Sequence, residues 1–348
     1  MRTGRRRFVA LTAGAALALG LVGCTTSDDA TTDRATADSA TTDRAATDRA
    51  TRGEQTDEAT PAATTGTGAF THVFDFGSNP GGLSMYQYLP AELADPAPVV
   101  VAIHYCSGSA QDFRTTGIEQ LADSQGFVVV YPQADRLGHC FDVSSTASLT
   151  RDGGGDSQSI AQMVEQVQGA HHTDSGRVFV FGYSSGAMMT EVLLAAYPDV
   201  FAAGAAFAGV PAGCAATSDP PPGPLRPVPR TPECWGGQVD HTPQEWGDLA
   251  HAMDPAWTGP RPRVQLWHGT DDAVLLYPNF GEAVEQWTNV LGVSAEPVST
   301  VELDGGWTRT RYGADGDKPP VEAYSLQGGT HTFAVDVAAM ARFFGLDG

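Results

Sequence analysis

The segment that most narrows the possible folds runs from residue 177 to residue 194. Arg177-Val178-Phe179-Val180-Phe181 is a short apolar run with strand character. It passes straight into Gly182-Tyr183-Ser184-Ser185-Gly186, and Ala187-Met188-Met189-Thr190-Glu191-Val192-Leu193-Leu194 follows with a helical pattern. Strand, tight turn and helix in immediate succession are the setting of a nucleophile elbow, where a strained turn holds a serine clear of its neighbours. Gly182 and Gly186 provide the small flanks such a turn needs. A bare G-x-S-x-G match arises often by chance, and the flanking strand and helix are what give this one weight. Ser184 is the candidate nucleophile, and an α/β-hydrolase fold is expected.

The rest of the chain from residue 70 is organised to match. Short apolar runs alternate with longer helical stretches, which points to βαβ units and a mostly parallel, doubly wound sheet. A hairpin is expected over 72–76 and 83–89, joined through Asn79-Pro80-Gly81-Gly82. Buried strands are expected at 98–103, 127–131, 177–182, 203–207, 263–267 and 321–326, giving about eight strands in all. Helices are expected at 111–124, 158–171, 185–197, 279–291 and 333–344. Between 208 and 260 the pattern fails in a proline-rich stretch containing Pro220-Pro221-Pro222-Gly223-Pro224. Strand and helix resume beyond it, so this excursion reads as an insertion over the active site. A single catalytic domain over 70–348 is expected, large enough to bury a substantial core.

The segment before this domain has another character. Residues 1–23 have a basic start at Arg2, Arg5, Arg6 and Arg7, then an apolar run from Phe8 to Val22, which is the pattern of an export signal. Leu21-Val22-Gly23-Cys24 is similar to a lipobox, making Cys24 the expected lipidation site, and Arg5-Arg6-Arg7-Phe8 is similar to a twin-arginine signal. Residues 24–69 are mostly Thr, Asp, Ala and Arg, with Ala30-Thr31-Thr32-Asp33-Arg34-Ala35 repeated from Ala40 to Ala45, and are expected to form a disordered spacer. The formal charge is −21, so nucleic acid and anionic lipid are poor partners, and membrane association is expected only through the lipid. Of the five cysteines Cys24 is the odd one. Pairing sequence neighbours closes the shorter loops, so disulfides are expected at Cys106–Cys140 and Cys214–Cys234. No cysteine sits in a C-x-x-C pair, and no metal site is expected.

A serine hydroxyl needs a base within hydrogen-bond reach and a carboxylate to orient that base. In this fold they follow in the order serine, acid, histidine. Trp267-His268-Gly269-Thr270-Asp271-Asp272 lies at the end of an expected strand and supplies the acid. Gly328-Gly329-Thr330-His331 follows the last strand and supplies the base, His331. His171 and His172 read as a solvated helix cap, and His268 as a residue shaping the acid's loop. Two backbone amides must meet the developing oxyanion. The residue after the nucleophile, Ser185, offers one, and Cys106 in the loop after strand 98–103 offers the other. Tyr105 in that loop and Trp235 in the excursion are candidate substrate contacts. Gly154-Gly155-Asp156 lacks the lysine and spacing of a phosphate loop and reads as a turn and helix cap.

The elbow, His104-Tyr105-Cys106 with Gln111-Asp112-Phe113, Gly154-Gly155-Asp156-Ser157, Ala208-Gly209-Val210-Pro211-Ala212-Gly213-Cys214 and Gln286-Trp287-Thr288-Asn289-Val290 together resemble carbohydrate esterase family 1. Within it the chain is most similar to secreted acetylxylan esterases, with feruloyl esterases and polyhydroxybutyrate depolymerase-like esterases as relatives. The resemblance implies a Ser184, Asp272, His331 triad and deacetylation of xylan or a related polysaccharide; the mechanism requires no cofactor, a monomer is expected, and the export signal points to an enzyme at the cell surface or secreted. Feruloyl esters and hydroxybutyrate oligomers are the alternative substrates, and a non-catalytic surface-binding lipoprotein is the alternative from another class. The chain departs from the family at Asp271, where a small residue is usual. Counted from His268-Gly269, Asp272 matches the family's acid.

Overall fold

Val99, Val101 and Ile103 face one side of a central strand and Val100 and Ala102 the other, and all five are buried. A strand apolar on both faces must be covered by helices on both faces. The computed structural model describes residues 68–348. The expected export signal over 1–23, lipidation at Cys24 and all but the end of the spacer over 24–69 lie outside the described residues.

The strands are Ala69–Val73 (β1), Ser84–Leu89 (β2), Ala97–Ile103 (β3), Val128–Gln133 (β4), Thr173–Tyr183 (β5), Ala203–Phe207 (β6), Arg263–Gly269 (β7), Ser299–Glu302 (β8), Trp307–Tyr312 (β9) and Val321–Leu326 (β10). They form one sheet in the order β1-β2-β4-β3-β5-β6-β7-β10-β9-β8. From β4 to β10 in that order neighbours run parallel, and an antiparallel pair is added at each edge. The helices are Ala110–Phe113 (α1), Ile118–Gln125 (α2), Asp156–Ala170 (α3), Ser185–Ala196 (α4), Pro232–Trp235 (α5), Pro243–Ala252 (α6), Pro278–Val290 (α7) and Val337–Phe344 (α8). Residues of α1, α2 and α8 pack with Val100 and Ala102 on one face, and residues of α3, α4, α6 and α7 pack with Val99, Val101 and Ile103 on the other. The strand order reverses between β3 and β5, so the loops leaving their carboxyl ends diverge and open a crevice.

The sheet has ten strands, not eight, because β8 and β9 add an edge hairpin. These strands have no buried apolar run: β8 is largely exposed, and Arg311 on β9 reaches Glu322 on β10 at 2.7 Å. Edge strands guarded by charge do not carry the signature of a core strand. The expected helix over 111–124 is broken in two at Gly117, whose φ of 92° ends the first piece. The last helix begins at Val337 and not at 333, and the proline-rich excursion contains α5 and α6, the latter opened by a Thr242–Glu245 capping box. β1 takes in Ala69, the last residue assigned to the spacer.

Helix α4 is buried along its whole length, which encloses Glu191. Its only partner among the described residues is the Trp287 indole N–H, which donates to Oε2 at 3.0 Å. Burial pushes its pKa up to about 8, against a weaker downward pull from that hydrogen bond. A carboxyl whose folded pKa lies above its unfolded value contributes fully below the unfolded pKa, near about 4, and loses that contribution as pH rises toward 8. Thermal melts of wild type and Glu191→Gln should therefore coincide near pH 4 to 5. By pH 8 the variant should be the more stable by about a few kcal/mol. Melting curves that stay parallel across this range would contradict the buried neutral carboxyl.

Candidate active site

The loops at the carboxyl ends of β3, β5, β7 and β10 carry the expected site residues, and the parallel strands bring those ends together. Ser184 sits between β5 and α4 with φ 53° and ψ −116°. Side chains avoid positive φ, so the conformation persists only because its surroundings enforce it. The Ser184 N–H donates to the Phe207 carbonyl at 2.9 Å. A Cβ at position 182 would lie 2.2 Å from the Gly186 oxygen, and one at 186 would lie 2.1 Å from the Ile103 oxygen, so glycine is required at both flanks.

The Ser184 hydroxyl donates to His331 Nε2 at 3.0 Å, and His331 Nδ1–H donates to Asp272 Oδ2 at 2.7 Å. The other oxygen of Asp272 accepts the N–H groups of Val274 at 2.8 Å and Leu275 at 2.9 Å. His268 also reaches Asp272, with Nε2 3.2 Å from Oδ2 and 2.8 Å from the Leu275 carbonyl. Burial by itself would raise the Asp272 pKa. The hydrogen bonds from His268, His331 and the Val274 N–H outweigh it and hold the carboxyl well below the usual carboxylate range. Asp271 turns outward and is exposed, and its backbone N–H donates to the Gly329 carbonyl. Of the two adjacent carboxylates, Asp272 is the one in contact with the imidazole.

Ser185 opens α4, so its N–H has no acceptor within the helix. The Cys106 N–H likewise makes no hydrogen bond among the described residues. The loop carrying Cys106 is fixed from several directions. Cys106 is bonded to Cys140, and the Ser107 N–H donates to the Gly138 carbonyl at 2.9 Å. His104 donates from Nδ1 to the Tyr105 carbonyl at 2.7 Å and accepts the Ala134 N–H at Nε2, a neutral tautomer that burial favours by lowering its pKa to about 4. Behind Cys140, Arg136 donates to the Cys140 carbonyl at 3.1 Å and to both oxygens of Asp156. Asp156, expected as a helix cap, is instead the buried partner of Arg136 in the first turn of α3, and Gly155 is the cap residue.

Two cavities meet at Ser184. The larger, about 510 Å³, is lined by His331, Thr332 and Phe333 and by Asp112, Thr115 and Thr116. Tyr105 also lines it and is 40% exposed, open to a substrate. The smaller, about 250 Å³, lies beside Ser185 and Cys106 under the proline-rich excursion and contains Trp235. Cys214 is bonded to Cys234 at the base of that excursion, and the Leu276 N–H donates to the Trp235 carbonyl at 2.8 Å, which ties it to the acid's loop. His172 pairs with Asp95 and is exposed, remote in sequence and contacts from the catalytic loops.

Sequence reasoning missed Tyr183, the variable residue of the elbow. Its hydroxyl donates to the His331 carbonyl at 2.7 Å and accepts the Phe333 N–H at 2.8 Å. One side chain next to Ser184 thus clamps the loop that carries His331. No pattern in the sequence links residue 183 to residue 331, because the contact exists only once β5 and β10 share a sheet.

Residues 83–219 match a family model described as esterase PHB depolymerase. The chain is 42% identical over 281 residues to feruloyl esterase B of Talaromyces stipitatus, covering 80% of this chain and 76% of that protein. It is 43% identical over 251 residues to acetylxylan esterase A of Aspergillus oryzae, covering 71% of this chain and 80% of that one. Among solved structures, an acetyl xylan esterase from Aspergillus awamori aligns with a TM-score of 0.75 at 37% identity, covering 80% of this chain and all of that one.

The Tyr183 clamp has a kinetic consequence. Tyr183→Phe should lower kcat by about 10- to 100-fold, the penalty for a loosely placed base, with KM changed far less. Steady-state kinetics alongside a thermal melt check this, and a variant that loses stability yet keeps wild-type kcat would show the clamp to be structural only.

Proposed function

Because the chain belongs to the family of acetylxylan and feruloyl esterases, we propose that it removes acyl groups from xylan or a related plant polysaccharide through Ser184, His331 and Asp272. The observation that carries the reading is the continuous hydrogen-bonded chain from the Ser184 hydroxyl through His331 to Asp272. The protein is a carboxylic ester hydrolase, and the proposed mechanism runs along this chain of groups.

His331 takes the Ser184 proton as Oγ bonds to the ester carbonyl carbon. The carbonyl oxygen becomes an oxyanion that meets the N–H groups of Ser185 and Cys106. Asp272, held ionised by its donors, keeps the proton on Nδ1 and stabilises the imidazolium. On collapse the carbon–oxygen bond to the sugar breaks, and His331 hands its proton to the departing oxygen. Water then attacks the acyl-enzyme with His331 again as base, releasing the carboxylic acid and restoring the serine.

The larger cavity suits the sugar. It adjoins His331, which must protonate the leaving oxygen, and Asp112, Thr115, Thr116 and Thr332 offer partners for hydroxyl groups. Thr116 Oγ1 is buried with no partner among the described residues. Tyr105 lines the same cavity. Two disulfides suit an oxidising, extracellular setting, and attachment through a lipid on Cys24 would hold the enzyme at the cell surface. Cys24→Ser should move activity from the membrane fraction to the soluble one, and activity that stays with the membrane would contradict the anchor.

Ser184→Ala should lower turnover of acetylated xylan by about three to six orders of magnitude while leaving the melting temperature close to wild type. Acetate release by a clean preparation of that variant at the wild-type rate would sink the assignment.

A further inference from the structure

Glu191 stands on α4, the helix that begins immediately after Ser184, and its side chain is buried. Its carboxyl meets groups from two other elements. The Trp287 indole of α7 donates to Oε2 at 3.0 Å, and Gly209, after β6, lies so close to Oε1 that a Cβ there would stand 2.9 Å from it. Beside them is a small cavity of about 10 Å³, lined by both Glu191 and His268 of β7. Leu266, Phe280 and Ala283 are among its other walls, and His268 is the only other titratable group that lines it among the described residues. A buried carboxyl without a charged partner is costly to keep, and Glu191 weakens the fold once it ionises.

His268 connects this cavity to the proposed triad. Its Nε2 is 3.2 Å from Asp272 Oδ2 and 2.8 Å from the Leu275 carbonyl. Both neighbours are acceptors, so in the neutral ring Nε2 holds the proton and Nδ1 is left with a lone pair. A buried lone pair is costly unless a donor meets it. The carboxyl that shares the cavity is such a donor only while it keeps its proton, and burial keeps it protonated by raising its pKa to about 8. A volume of about 10 Å³ has room for about one water to bridge the two groups.

Resting on the esterase reading above, we propose that Glu191 is a positioning residue for the triad: its carboxyl donates through one water to His268 Nδ1, which fixes the Nε2 proton that His268 gives to Asp272. The line of donors ends on Oδ2, the oxygen that also accepts from His331 Nδ1. Ionisation reverses the line. When Glu191 gives its proton to solvent, a carboxylate replaces the donor, and through the water the ring proton of His268 moves from Nε2 to Nδ1 to meet it. One proton has left, His268 remains neutral, and Asp272 has lost a donor. Asp272 then holds the His331 imidazole less firmly, and turnover falls although every residue of the triad is present.

A pH profile tests this. In wild type, kcat/KM for 1-naphthyl acetate, with the buffer rate subtracted, should fall by about five- to tenfold between about pH 7 and about pH 9.5, the effect of one lost donor to a charged group. The midpoint of that limb should lie near 8. Glu191→Gln supplies an amide donor that does not ionise, so its profile should stay flat over the same range. His268→Gln has no second ring nitrogen to receive the proton, and it too should lose the limb. Near-UV circular dichroism of wild type should be the same at both ends of the range. A wild-type profile without an alkaline limb, or a limb that persists in Glu191→Gln, overturns the proposal while the esterase reading stands. So does a limb that persists in His268→Gln or that accompanies loss of the near-UV signal, since Glu191 would then act on the fold and not through His268. Wild-type enzyme that hydrolyses the ester at no pH overturns the esterase reading and this proposal with it.

Discussion

The backbone of Ser184 is the constraint around which the rest is arranged. A serine at φ 53° and ψ −116° would relax if it could, and it is kept there by a strand on one side and a helix on the other. The end of β5 that leads into the turn is bonded to β3 and β6, and α4 is buried between the sheet and its neighbouring helices, so neither end of the turn can yield. The same geometry leaves the Ser185 N–H free at the start of α4. The proposed nucleophile and one proposed oxyanion donor therefore arise from a single local conformation, and the stability of the sheet is what sustains it.

The remaining residues proposed to act with it lie on loops, and each loop has its own restraint. The Cys106–Cys140 bond and the Arg136–Asp156 pair hold the loop that carries the second proposed donor. Val274, Leu275 and His268 hold Asp272, while Tyr183 holds the His331 loop. Polar groups removed from water near the site are nearly all paired, and pairing makes the arrangement unique as well as stable. Against that background Ser185 Oγ, Thr116 Oγ1 and Trp235 Nε1, without a partner among the described residues, stand out, since all three belong to residues lining the cavities where substrate would sit.

Much of this was legible in the chain. The Val178–Phe181 run, the elbow and the helix after it are consecutive, so local pattern alone placed Ser184 on a strand-to-helix turn. The order of strands located the acid and base loops, since each loop follows an apolar run. What could not be read depends on contacts between distant segments or on signals that local pattern does not carry. The β8–β9 hairpin is polar and sits at an edge, so its sequence lacks the apolar signature of a core strand. Gly117 splits a helix whose apolar spacing continues across the break. Tyr183 looks like filler between Gly182 and Ser184 until the fold sets its hydroxyl against residues 331 and 333. Asp156 looks like a cap until Arg136 is found beside it.

The central claim is that Ser184, and no other hydroxyl, is activated by His331 held by Asp272. The most direct measurement is labelling with an active-site-directed fluorophosphonate followed by peptide mass spectrometry. A single adduct on the peptide containing Ser184, formed rapidly by wild type and abolished or strongly slowed in His331→Ala, is the predicted result. An adduct on a different residue, or equal labelling of Ser184 when His331 is removed, would contradict the account.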